Sequence, residues 1–173
     1  SDTSASGEPW SIHCGRFLID RFHFSFNDAN APAPGFGVDF KHIDIPDAHI
    51  AGSGLSVAGD SIHAYFKALS FTERCGLRLE ELSGTTTVGD RGINIHGMAL
   101  RTSNSALQGE LALRSTTFAD FDDFTQKVVM RVALDSSQLD FADFAWFAPE
   151  LEGMRLPIRL SGKVRGTIAE LKG

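Results

Sequence analysis

The side chains able to do chemistry in this 173-residue chain are six histidines, two cysteines and a few clustered carboxylates and serines. Metal centres and general acid–base sites need such groups at short, repeated spacings, for example two histidines one helical turn apart. His13, His23, His42, His49, His63 and His96 show no such spacing. They fall mostly on the polar phase of alternating segments and read as solvated or hydrogen-bonded strand positions. Asp120, Asp122 and Asp123 offer the oxygen ligands a calcium ion takes, but phenylalanines interrupt them and no glycine-containing loop with a closing Glu follows. They read as a solvated face. Ser53 and Ser61 sit near glycines without a nucleophile-elbow pattern. Cys14 and Cys75 lie far apart inside apolar patterns, and two cysteines make neither a disulfide framework nor a zinc site. They are expected as buried free thiols. No residue is nominated as catalytic, and the chain reads as a non-enzyme with no cofactor and no metal.

The elements that hold these residues are bounded first by composition. The chain has 22 acidic and 16 basic residues, a net charge of -6, and no run of Lys and Arg. A nucleic-acid binder needs a basic footprint, so that partner class is excluded, and no polybasic stretch marks a membrane-surface segment. No apolar run is long enough to span a bilayer. The small polar run Ser1–Gly7 reads as a linker over residues 1–8. The remainder, 9–173, at 42% hydrophobic content for the chain, is expected as a single domain.

Period two dominates that remainder. Trp10, Ile12 and Cys14 alternate with polar residues, as do Phe22, Phe24 and Phe26. The same pattern returns at Ile43 and Ile45, Ile62 to Phe66, Ile93 and Ile95, Leu107 to Leu113, Val128 to Leu134, and Leu156 to Val164. Glycine-, proline- and aspartate-rich breaks separate these runs, which predicts short strands buried on one face and an all-β architecture. One helix is expected over Ser137–Phe147, capped by Ser136 or Ser137 and ended by Pro149. The segment from Phe118 to Phe124, with phenylalanine every third residue, fits either a helical turn or a bulged strand.

Aromatic usage narrows the reading. There are 14 Phe against 1 Tyr and 2 Trp. Phe has no polar tip to turn to water, so this bias implies a thoroughly apolar environment, either a large core or a surface lined to hold hydrocarbon.

The stretch Asp140–Leu151, followed by Leu156–Gly173, resembles TamB-like proteins of the AsmA/TamB superfamily, of the type found in Bacteroidetes. Phe40–Ile45, Ala68–Leu77 and Leu100–Ser105 fit the same family's phrases, and the resemblance runs from about Trp10 onward. Its motifs are glycine-punctuated strand patterns whose order along the chain carries the weight. Cys75 departs from the small polar residue expected at its place. The resemblance implies a segment of a periplasmic protein, anchored in the inner membrane by an N-terminal helix. Such proteins cross the periplasm as a curved, elongated antiparallel or mixed sheet forming an apolar groove. It implies a role in phospholipid transfer and outer-membrane biogenesis, with phospholipid acyl chains as ligand and a TamA-type outer-membrane barrel as partner. The inward strand phase then nominates Phe24, Phe40, Ile45, Ile50, Phe66, Leu79, Ile95, Leu111, Met130, Val132, Ile158 and Val164 as groove lining. Strand alternation alone does not separate groove from core. Bare sheet edges would favour self-association. Two other readings remain: a closed β-sandwich or jelly roll for adhesion or carbohydrate binding, and an enzyme on a β-helix scaffold.

Overall fold

The computed structural model describes residues 10–33 and 35–172; the expected linker over residues 1–8 lies outside them. Alternating β-branched and aromatic residues form strands because the pleat sends successive side chains to opposite faces. The strands are β1 (Ser11–Asn27), β2 (His42–Ala58), β3 (Ser61–Thr72), β4 (Arg78–Gly89) and β5 (Gly92–Thr102). They continue as β6 (Ala106–Arg114), β7 (Val129–Asp140), β8 (Pro157–Thr167) and the short β9 (Glu170–Lys172). Strand order in the sheet equals order in the chain, and every neighbouring pair is antiparallel. The sheet is open and curved, as the all-β reading expects.

Register sorts the side chains into two faces, because directly opposed residues share one. One apolar rung runs Ile12, Val57, Ile62, Val88, Ile93, Leu113, Met130 across seven strands. A second passes through Ile95, Leu111, Val132 and Val164. A third joins Ile19, Ile50, Leu69, Leu82, Leu100 and Leu107. The rung between the first two is polar: His13, Ser56, His63, Thr87, Asn94, Ala112, Arg131, Arg165. One face is therefore apolar and the other polar.

Near mid-strand the register shifts in every pair from β1–β2 to β7–β8, so a row of bulges crosses the sheet. Bulges bend strands and increase twist, which gives the sheet its curve. Along this row large side chains face glycines. Phe17 lies opposite Gly52, which lies opposite Phe66, which lies opposite Gly84. Met98, Gly109, Leu134 and Gly162 continue the series. Phe17 and Phe66 meet edge to face over the intervening glycine, with ring centroids 6.1 Å apart. Gly109 adopts φ +143°, and a Cβ there would overlap the carbonyl oxygen of Ala133.

Helical structure is brief. β7 runs through Asp140, and only α2 (Phe141–Phe144) is helical, which corrects the expected helix over Ser137–Phe147. Ser137 belongs to the strand because its hydroxyl donates to Gln108 O (3.2 Å) and accepts from Gln108 N (2.9 Å), stitching β7 to β6. Asp140, not Ser136 or Ser137, caps α2, its carboxylate accepting from Ala142 N at 2.8 Å. Pro149 begins a separate 3₁₀ turn, Pro149–Leu151. The segment left open from Phe118 is helical: a 3₁₀ turn, Phe118–Asp123, runs into α1 (Phe124–Lys127).

These connections cover the apolar face. Phe40, just ahead of β2, stacks on Phe124 of the β6–β7 connection at 4.9 Å, although the start of β2 and the end of β6 lie at opposite ends of the sheet. Phe36 stacks on Trp146 at 5.1 Å, and Val38 N donates to Trp146 O at 2.8 Å. Beneath them Ala64, Ile95 and Met98 of the apolar face retain only 2%, 7% and 4% of their exposure. On the opposite face Tyr65, His63 and His96 are exposed. Gly109→Ala is expected to cost about 3 kcal/mol or more in urea denaturation, from forbidden φ plus overlap. Gly15→Ala, where a Cβ would meet nothing within 4 Å, should change stability by less than ~1 kcal/mol.

Candidate functional site

The apolar face is continuous from β1 to β8, but it is not covered evenly. β1 lies at the edge of the described sheet, so on one side its N–H and C=O groups have no strand partner among the described residues. A bulge at Asp20–Arg21, with Arg21 at φ +55°, keeps Ile19 and Phe22 on the same face despite their spacing. Phe22, Phe24 and Phe26 then alternate with His23 and Ser25 and lie opposite Ala48, Ile45 and Ile43. Ile19, Phe22, Phe24 and Phe26 remain 43–44% exposed. At roughly 200 Å² per Phe side chain, the three rings alone leave about 250 Å² of apolar surface in water, and Ile19 beside them extends that row.

The expected lining residues divide between this margin and the covered centre. Phe24 and Ile45 pair at the margin, and Ile50 joins Ile19 to Leu69. Phe66 sits on the glycine row, and Ile95, Leu111, Val132 and Val164 share one rung, with Met130 on the next. Ile158 lies opposite Leu139, and Leu79 opposite Phe71. Ile95 and Leu79 are buried. Phe40 lies in the β1–β2 connection, as part of the cover. Phe17, Ile19, Phe22 and Phe26 were not among the nominated residues, although the alternation of Phe22 and Phe26 with Phe24 is visible in sequence.

The polar groups serve structure. His23 pairs with Asp44 (2.8 Å), His49 with Asp20 (2.9 Å), His42 with Asp39 (2.6 Å) and His96 with Glu110 (3.5 Å). Among the described residues no three His, Cys, Asp or Glu gather as metal ligands. Asp120 closes the turn that starts the β6–β7 connection, accepting from Thr117 N (2.8 Å) and Thr116 N (2.9 Å). These backbone hydrogen bonds, Thr117's first, hold its carboxyl below the usual carboxylate range. A depression on the polar face, lined by Asp20, Asp47, His49, Arg78 and Arg101, mixes both signs and offers neither ion a one-sign shell. Both cysteines are free thiols, half-buried rather than fully buried.

Two buried carboxylates pin the connections. Asp143 of α2 accepts from Thr102 Oγ1 (2.6 Å), Ser105 Oγ (2.6 Å) and Asn104 Nδ2 (2.9 Å), fastening the β7–β8 connection to the β5–β6 hairpin. Glu73, 4% exposed, accepts from Asp44 N (3.0 Å) and Cys75 N (2.6 Å) and fastens the β3–β4 connection to β2. Burial alone would raise the Glu73 carboxyl, but hydrogen bonds from the Cys75 side chain and from the Asp44, Cys75 and Arg74 amides outweigh it and hold it low. Burial, then the adjoining Glu73 carboxylate, pushes the Cys75 thiol up to about 11.

Comparison with family models, curated proteins and solved structures finds no match to this chain.

Two outcomes follow from the Glu73 knot. Ionised Glu73 stabilises the fold fully above its ordinary value of 4.5, and that contribution is lost as pH falls through the depressed native value. Glu73→Gln should therefore lower urea stability by about 1–3 kcal/mol at neutral pH. Its deficit against the natural chain should shrink in acid; a pH-independent deficit would exclude the carboxylate as its cause. With its thiolate suppressed at neutral pH, Cys75 should resist iodoacetamide while Cys14 is alkylated first, as read by peptide mass spectrometry.

Proposed function

We propose that the apolar face serves as a non-enzymatic trough for hydrocarbon. The ligands would be phospholipid acyl chains, within a longer periplasmic lipid-transfer protein of the TamB-like kind anchored in the inner membrane. The single observation that carries this reading is the exposed row Ile19, Phe22, Phe24 and Phe26, continuous with the apolar rungs of an open sheet. Shielding one acyl chain of ~14 carbons is worth roughly 11 kcal/mol at ~0.8 kcal/mol per methylene. An apolar margin supplies that shielding without directional bonds, so a chain can slide along it while its headgroup stays wet. The absence of polar groups among those rings suits a ligand with nothing to hydrogen-bond. A TamA-type barrel as partner, and a role in outer-membrane biogenesis, follow from the same resemblance and belong to this proposal.

Within it, the covered centre and the open margin have different duties. Ala64, Ile95 and Met98 hold the cover in place, while β1 and the start of β2 meet the ligand. Phe24→Asp should leave the circular dichroism spectrum and melting behaviour close to natural and abolish co-purifying lipid measured by mass spectrometry of an organic extract. Ile95→Asp should lose several kcal/mol of stability, because an unpaired charge is then buried. A natural protein that never carries or takes up lipid, or a Phe24→Asp variant that carries it undiminished, would sink the trough.

A further inference from the structure

The charge of the polar face is unevenly distributed, and register is what makes it so. Arg131 of β7 lies directly opposite Arg165 of β8, and Ala133 lies opposite Lys163. Arg159 lies further along β8, opposite Gln138. All four cations are exposed, and among the described residues none has an ion-pair partner, in a chain of net charge -6. The carboxylates carried by the same sheet region do not reach them: Glu110 pairs with His96, and exposed Asp135 of β7 makes no ion pair among the described residues. Small side chains, Ala112 and Ala133, floor the basin between Arg131, Lys163 and Arg165, and the paired Glu110 and His96 form its far wall. Two like charges directly opposed on a sheet repel, so Arg131 and Arg165 cost stability unless an anion sits between or before them.

A second observation lies at the other end of the same strand. The connection entering β8 exposes Met154 (44%) and Leu156 (50%) on either side of Arg155. From Arg159 to Arg165 the strand runs about 20 Å, at ~3.3 Å per residue. The β8 margin is thus a row of basic side chains ending in a small apolar wedge. β9 pairs only with Arg165–Thr167, so the stretch from Pro157 to Val164 stays at the sheet edge.

We propose that the β7–β8 margin docks this protein on an anionic lipid surface, through phosphate-bearing headgroups. Arg131, Arg159, Lys163 and Arg165 meet the phosphates, and Met154 and Leu156 enter the headgroup–acyl boundary. Cations in a row with apolar side chains at one end fit a bilayer surface, where both contacts are available at once. A nucleic acid would reward the charges but not the wedge. The proposal is independent of the trough: β1 and β8 are opposite margins of the sheet.

The experiment is vesicle flotation of the whole chain, using phosphatidylcholine alone or mixed with phosphatidylglycerol. The natural protein should float with the mixed vesicles and not with phosphatidylcholine, and should release as salt rises from ~0.05 to ~0.5 M. At about five-fold per basic residue, the triple variant Arg159→Gln, Lys163→Gln, Arg165→Gln should bind roughly 100-fold more weakly. Arg159→Lys with Arg165→Lys, which keeps the charge, should retain binding, and unchanged circular dichroism should accompany each variant. Phe24→Asp should still float, which separates failure here from failure of the trough. Equal binding to both vesicle types, an undiminished triple variant, displacement by millimolar inorganic phosphate as a free ligand, or equal binding to a DNA duplex at matched salt would each overturn the proposal.

Discussion

The row in which large apolar side chains alternate with glycines from strand to strand is the constraint on which the rest of this structure depends. A sheet that curves brings the side chains of one face together, and a face of phenylalanine, leucine and methionine on every strand would crowd before it could bend. Gly52, Gly84, Gly109 and Gly162 remove a side chain from every second strand at the level where the register shifts. At Gly52 the ring of Phe17 occupies the place a Cβ would take, and at Gly84 and Gly109 the neighbouring strand's backbone comes close to it. Curvature and packing are thus solved at the same positions. A bulge bends the backbone there, and the missing Cβ keeps the bend from forcing neighbours into overlap.

Curvature also brings the ends of the sheet within reach of each other. The β1–β2 and β6–β7 connections leave from opposite ends yet meet through Phe40 and Phe124, and the β7–β8 connection reaches Phe36 and Val38 through Trp146. Their positions are set by polar contacts rather than by long helices. Asp143 and Glu73 are each buried with multiple donors, so desolvation is matched by hydrogen bonds and each carboxylate acts as a geometric stop. Aromatic stacking fills the centre, and the carboxylates decide where it sits.

Much of this was legible in the residues. Alternation identified the strands because each has one face in water. The same alternation placed Phe24, Ile95, Leu111 and Val164 on one side of the sheet. It failed where tertiary contacts override local pattern. Ser137 to Leu139 carry spacing that a helix would also use, but the two contacts of the Ser137 hydroxyl with the Gln108 backbone and the pairing of Leu139 with Ile158 hold them in β7. Phe40 sits in a strand-like phrase yet lies before β2, where its ring stacks on Phe124 rather than joining the sheet. The basic margin was invisible in sequence for a different reason. Arg131 and Arg165 are separated by the whole β7–β8 connection, and a count of Lys and Arg runs knows nothing of register.

Strand order that follows chain order has a further consequence. In such a stack each strand touches only its sequence neighbours, and stability behaves as a line of nearest-neighbour couplings that can fray from either end. The hydrogen bond from Val38 to the Trp146 carbonyl breaks that pattern, because it joins the first connection, between β1 and β2, to the exit of the seventh strand. A line closed by one such tie becomes a loop of dependencies, in which losing an inner strand also loosens the tie. The strands between β2 and β7 are thereby committed to stand or fall together, while β1, outside the tie, keeps the freedom of an end member.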